Sequence, residues 1–98
     1  MKYEFHPEAE EEFIEAAARY DADLRGLGLI FSSEVERVIE LLLKNPHIGT
    51  PISSDMRHFV LNRFPFSVVY VAGDDTLCVL AVAHHRRVPG YWRARRDS

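Results

Sequence analysis

Apolar residues recur along this chain at two spacings, and the change from one to the other marks the elements. Residues 2–6, Lys-Tyr-Glu-Phe-His, alternate. Tyr3 and Phe5 fall on one face and Lys2 and Glu4 on the other, which predicts a strand. Pro7 suits the first position of a helix, where its missing N–H costs nothing. From there Ala9, Phe13, Ala16, Ala17, Tyr20 and Leu24 follow the helical period, with Glu8, Glu12, Glu15 and Arg19 on the expected solvated face. Acidic residues crowd the first turn, where they favour the positive end of the helix dipole. Arg25-Gly26-Leu27-Gly28 interrupts the pattern and predicts a connection, because each glycine costs a helix interior roughly 1 kcal/mol. A second helix is expected over 29–44, with Phe31, Val35, Val38 and Leu42 as its stripe, widened by Ile39 and Leu43. Asn45-Pro46 ends it, and the short connection predicts an antiparallel hairpin.

Beyond a turn-rich loop over 46–55, the period drops to two. Strands are predicted at about 57–62, 66–72 and 76–84, joined through Phe64-Pro65 and Gly73-Asp74-Asp75 by turns short enough for antiparallel pairing. The last strand is apolar on both faces over Leu77–Ala83, so it should be central. The order β-α-α-β-β-β predicts an α+β fold: one domain over 1–98, an antiparallel helical hairpin packed on a mainly antiparallel sheet, with a basic, aromatic tail over 86–98.

Composition narrows the class. With 98 residues and 47% hydrophobic side chains, the chain suffices for one core and is too apolar to be disordered. The longest apolar run is the seven residues Leu77–Ala83, far short of the ~18 a spanning helix needs, so no membrane association is expected. The opening residues carry no apolar signal core, and the lone Cys78 fits a reducing compartment, so a cytoplasmic location is expected. Cys78 sits mid-strand without an activating base nearby in sequence and reads as a small core residue. Net charge is −3, but it is divided: residues 1–50 carry 5 basic and 11 acidic side chains, residues 51–98 carry 7 and 4. An acidic helical half thus stands against a basic half of strands and tail. Wholesale coating by nucleic acid is disfavoured, while an anionic partner at the basic face is allowed.

Four passages, in this order and spacing, carry a resemblance. They are Phe5-His6-Pro7-Glu8-Ala9-Glu10-Glu11-Glu12, Gly26-Leu27-Gly28-Leu29-Ile30-Phe31, Asn45-Pro46-His47-Ile48-Gly49, and Arg63-Phe64-Pro65-Phe66-Ser67-Val68-Val69-Tyr70. The segment Leu80-Ala81-Val82-Ala83-His84-His85-Arg86-Arg87-Val88-Pro89-Gly90-Tyr91-Trp92 completes it. The chain resembles the RelE/ParE toxins of bacterial type II toxin–antitoxin systems over nearly its whole length. Its Arg-Arg-x-Pro-x-Tyr-Trp ending looks more like the ParE branch. That resemblance implies a cytoplasmic toxin that arrests growth and serves plasmid stabilisation, neutralised by a cognate antitoxin of ParD-like or RelB-like type. Operator DNA would be reached only through the antitoxin. A ParE-like member would block DNA gyrase by binding it. A RelE-like member would instead be a ribosome-dependent mRNA endoribonuclease.

The two branches need different chemistry. RNA cleavage requires a base for the 2′-hydroxyl, an acid for the leaving oxygen and positive charge at the phosphorane. The candidates are Arg63, His84, His85, Arg86 and Tyr91. Arg63 matches a family arginine before the second hairpin strand, Arg86 matches the one after the last strand loosely, and Tyr91 comes later than the family's tyrosine. The loop after the second helix lacks the lysines that RelE-like enzymes carry, which places gyrase ahead of the ribosome as the expected target. A binding toxin would use Arg57, Phe59, Arg63, Arg86, Arg87, Tyr91 and Trp92 toward antitoxin or target. Simpler roles stand beside these: Arg63 paired with a helix carboxylate, and Tyr91 and Trp92 anchoring the tail. Adjacent strand positions point His84 and His85 to opposite faces, so they cannot share a metal, and neither metal nor cofactor is expected.

Overall fold

The N-terminal strand forms as predicted, at Lys2–Phe5 (β1), in a computed structural model that describes residues 1–53 and 55–97. Ser54, in the predicted loop, and Ser98, last of the predicted tail, lie outside the described residues. Helix α1 (Pro7–Asp23) starts at a His6 cap, whose Nδ1 accepts the Glu8 N–H at 3.1 Å. It ends one residue before Leu24, which turns to extended backbone and is 64% exposed. Leu24 therefore leaves the apolar stripe it was assigned to.

Helix α2 spans Leu27–Lys44, so the connection is shorter than the glycine pair suggested. Gly26 takes φ +91°, a conformation that favours glycine, while Gly28 is inside the helix. A Cβ on Gly28 would stand 2.4 Å from the Ala17 carbonyl oxygen, so its absence lets the two helices touch. Asp21 of α1 completes the junction: its Oδ1 accepts the N–H groups of Gly26 at 2.8 Å and Gly28 at 3.3 Å. These would otherwise be orphan donors at the start of α2.

The remaining strands are β2 (Thr50–Pro51), β3 (Met56–Val60), β4 (Phe66–Ala72) and β5 (Thr76–His84). The predicted order holds, with a two-residue strand added inside the loop. They form one mixed sheet in the order β1-β5-β4-β3-β2, antiparallel except for β1 beside β5. The apolar β5 is interior, as its sequence predicted. One face packs on the helices around Phe31, fully buried, whose ring centroid lies 5.0–5.3 Å from those of Tyr20, Phe64 and Phe66. The other face gathers Met56, Val69, Leu80, Ala81 and Ala83 under Tyr91 and Trp92 of the tail. That tail ends in a 3-10 turn, Arg93–Asp97.

Strand β5 changes phase midway. Val69 pairs with Ala81 but Tyr70 pairs with Val79, so Leu80 is an extra residue, a β-bulge. Leu80 and Ala81 consequently face the same side of the sheet. Strand β1 covers β5 only to Val79, whose carbonyl accepts the His6 N–H at 2.9 Å. Beyond that point the β5 backbone needs other partners.

Candidate functional site

Those partners come from α1 and the tail. Glu12 Oε1 accepts the Val82 N–H at 3.1 Å, and Arg95 Nη1 donates to the Leu80 carbonyl at 3.0 Å. Arg95 also grips Glu12 with both terminal nitrogens, at 2.9 and 3.1 Å, and is only 9% exposed. Glu8 lies 3.3 Å from the same guanidinium. The Tyr91 hydroxyl donates to Glu12 Oε2 at 2.5 Å, and the guanidinium carbons of Arg87 and Arg95 lie 3.9 and 5.0 Å from its ring centroid. Glu12 was placed on the solvated face by helical spacing, and the structure corrects this: it is the anchor of the tail. Its neighbours on that helix face meet solvent, but the bulge and the returning tail cover Glu12 itself.

Burial first, then the Glu12 hydrogen bond, pushes the Tyr91 hydroxyl far above the usual phenol range. Tyr91 keeps its proton and points its O–H at Glu12. It is thereby withdrawn from acid–base exchange with a substrate.

Between α1, the end of β5 and the tail lies a cleft of about 530 Å³. Ala16, Tyr20, Phe66 and Val82 give it an apolar floor; Arg86 and Arg87 bring positive charge beside the His84 ring, and Glu12, Glu15 and Arg19 line the α1 side. The His84 ring stands edge-on to Phe66, centroids 4.9 Å apart, and its Nδ1 accepts the Arg86 N–H at 3.0 Å. The proton of the neutral ring therefore sits on Nε2. Burial, then the charges of Arg86, His85 and Arg19, lower the His84 pKa, so the ring is neutral near pH 7. Among the described residues, Arg19, Arg86 and Glu15 form no ion pair within 4.0 Å.

The residues singled out in the sequence separate into three places. His84, Arg86, Arg87 and Tyr91 line the cleft. His85 and Trp92 lie on the tail-covered face, beside a second cavity of about 390 Å³ that His84 and Arg87 also border, where His85 Nε2 is 2.9 Å from the Ser67 hydroxyl. The two histidines thus do point to opposite faces. Trp92 packs on the sheet as a tail anchor, with its indole N–H buried and unpaired among the described residues. Arg57, Phe59 and Arg63 are outside the cleft lining. Arg57 donates to the carbonyls of His47 at 3.1 Å and Gly49 at 2.9 Å, holding the loop after α2. Phe59 packs against the helix-side core. Arg63 takes φ 70° in the turn before β4, and its charge acts on Glu34 of α2.

Two residues of this site escaped sequence reading, Glu12 and Arg95. The available signal was a carboxylate lying between Ala9 and Ala16 on the surface of α1, and an arginine within an aromatic tail; neither pattern identifies its partner 83 positions away. Cys78 is half-buried, and burial, then Glu4, pushes its thiol pKa up, consistent with an inert side chain. No group of three or more His, Cys, Asp or Glu fit to hold a metal exists among the described residues. No helix is long and apolar enough to cross a membrane among those residues.

A helical hairpin on a mixed five-stranded sheet, with cations and rings gathered where β5 ends, is the architecture that the sequence resemblance implied. The chain belongs to the family described as the ParE toxin of the type II toxin–antitoxin system parDE, whose profile matches residues 3–89. Tyr91, Trp92 and Arg95 lie beyond the matched stretch. Its fold is similar to a solved chain of the chromosomal ParDE TA system from P. aeruginosa, with a TM-score of 0.73 and 16% identity over 86% of this chain and 95% of that one. No curated protein matches the sequence.

Proposed function

We propose that this ParE-family toxin acts by binding: it inhibits DNA gyrase in the bacterial cytoplasm, arrests growth, and is neutralised by a cognate antitoxin. The observation that carries this reading is the state of the cleft. Its tyrosine is committed to Glu12, and its histidine is a neutral ring surrounded by cations. Such a site offers hydrogen-bond donors and positive charge to a partner, while its tyrosine is held by Glu12 and the Nδ1 lone pair of its histidine is taken by the Arg86 N–H. Membership of the ParE family supports gyrase over the ribosome. The antitoxin would supply contact with operator DNA, since the chain's net −3 suits it poorly to bind DNA alone. Arg86, Arg87 and the exposed Arg63 are the basic residues we assign to antitoxin or target contact; Arg57, Phe59, Tyr91 and Trp92 serve it chiefly by holding the surface in shape.

The test is a supercoiling assay with purified gyrase and this protein, alongside induced expression without antitoxin. Loss of supercoiling and a DNA-damage response are expected. Intact supercoiling, together with mRNA cuts in the A-site codon that vanish in Arg63→Ala, would overturn this reading in favour of the endoribonuclease.

A further inference from the structure

The second cavity, about 390 Å³ on the tail-covered face of the sheet, differs in charge from the cleft beside α1. Glu12 and Glu15 line that cleft, whereas among the described residues no Asp or Glu lines this cavity. Its body is apolar: Val69 and Ala83 come from the sheet, Ile52 from the loop before β3, and Pro89 and Trp92 from the tail.

Polar groups meet that body at two points. Ser67 lies in β4 opposite Ala83 and is only 7% exposed. A hydroxyl buried among apolar side chains needs partners, and His85 Nε2 at 2.9 Å is one. A hydroxyl has one donor and two acceptor positions, so this bond leaves Ser67 with capacity to spare. The second point is Arg93, exposed and without an ion-pair partner within 4.0 Å among the described residues. Gly90, at φ +86°, makes room for it: a Cβ there would stand 2.8 Å from Arg93 Nε, so the bare Cα lets that side chain lie against the turn. Arg87 adds a cation that is 3.9 Å from Glu12 and stacked on Tyr91.

A cavity of this size suits a small molecule. One unpaired guanidinium, one partly engaged and no carboxylate in the lining favour an occupant with a single negative charge. The planar fork of Arg93 matches a carboxylate, and the apolar walls call for apolar area beside it. From this complementarity we propose that the cavity binds a small free carboxylic acid, as its anion, with an aromatic or branched apolar body. Arg93 takes the carboxylate, Val69, Ala83 and the Trp92 ring cover the apolar part, and the Ser67–His85 pair offers a further hydrogen bond.

Trp92 is the single tryptophan of the chain, so its emission reports on the cavity it lines. The experiment titrates the full chain with phenylacetate at millimolar concentration, following Trp92 emission and, after 15N labelling, the amides of Ser67, Ala83 and Gly90. Phenylacetamide is the neutral control, and acetate is the control without a ring. Saturable changes in emission and at those amides are expected with phenylacetate, and none with acetate. A charge-assisted hydrogen bond is worth about tenfold or more in Kd, so phenylacetamide on the wild type, or phenylacetate on Arg93→Gln, should bind at least that much more weakly. Arg93 is exposed and unpaired among the described residues, so the variant should keep the wild-type melting temperature. Equal binding of acid and amide, wild-type affinity in Arg93→Gln, shifts confined to the amides of Ala16 and Tyr20 in the other cleft, or no saturable change would each overturn the proposal. Tighter binding of acetyl-Gly-Gly-Phe, which carries the same groups at the end of a peptide, would overturn the assignment to a free acid.

Discussion

Replacing Glu12 by Gln is the sharpest test of how the tail is held. The substitution preserves the shape of the side chain and one acceptor oxygen, but removes the charge that faces Arg95 and turns one oxygen into a donor. Four donor contacts converge on the carboxylate: the Val82 N–H, the Tyr91 hydroxyl and two nitrogens of Arg95. Breaking a buried pair by removing one partner costs about 3–5 kcal/mol. Arg95 would retain Glu8 at 3.3 Å and the Leu80 carbonyl, so we expect a smaller loss than that, about 2–3 kcal/mol. That is a large share of the roughly 5–15 kcal/mol available to a domain. With a urea slope on the order of 1–3 kcal/mol/M, the unfolding midpoint should fall by about 0.7–3 M. Faster exchange of the Val82 amide should accompany it, because that donor loses its strongest acceptor. A double-mutant cycle with Arg95→Met should return a coupling of about 1–3 kcal/mol. Had Glu12 stood on a solvated face, Glu12→Gln would change stability by less than about 0.5 kcal/mol. A result in that range refutes the anchor.

Three further outcomes follow from the same structure. Gly28→Ala drives a methyl group into the Ala17 carbonyl; despite alanine's better helix propensity it should cost about 1–2 kcal/mol net, read as a lower Tm, and an unchanged or raised Tm would refute the close helix approach. Tyr70→Phe removes the hydroxyl that donates to the Pro46 carbonyl at 2.8 Å and accepts the Gly49 N–H at 3.0 Å; a loss of about 1–2 kcal/mol in urea unfolding is expected, and no loss would mean the loop is held without it. Glu34 gives a pH dependence: hydrogen bonds from Arg37 first, then from the Asn62 N–H, hold its carboxyl below the ordinary value of 4.5. The unfolded chain therefore binds this proton more readily. The contribution is complete above the unfolded pKa and is lost as pH falls through the folded one. The stability gap between wild type and Glu34→Gln should shrink on acidification, and a gap that stays constant would count against it.

The elements were legible because each is specified locally. The alternation of residues 2–6, the helical stripe from Ala9 to Tyr20, and the apolar run of β5 each state a period that only one backbone geometry satisfies. Where local rules misled, a second element had intervened. The glycines at 26 and 28 look alike in sequence, yet Gly26 turns the chain and Gly28 is buried in a helix, because Ala17 approaches it from α1. Phe59 packs against the core and Arg57 clasps a loop, although both could be read as surface contacts on a strand. Helical spacing likewise gave Glu12 to solvent, since that rule counts positions on one helix and is blind to what folds back over it.

The sequence by itself determined the α+β order, the helical hairpin, the central place of the last strand and the division of charge between the halves. Family membership was likewise readable, because it rests on landmarks in order along the chain. Only the tertiary structure decided which charges are available. It bound Arg95 and Tyr91 to Glu12, left Arg19, Arg86 and Glu15 facing one cleft, and set Arg63 beside Glu34. The reason is physical: a backbone period is a property of neighbours, whereas the partner of a charged side chain is fixed by folding. The bulge at Leu80 and the end of β1 at Phe5 left backbone groups to be satisfied, and only residues brought from 70 and 15 positions away could satisfy them.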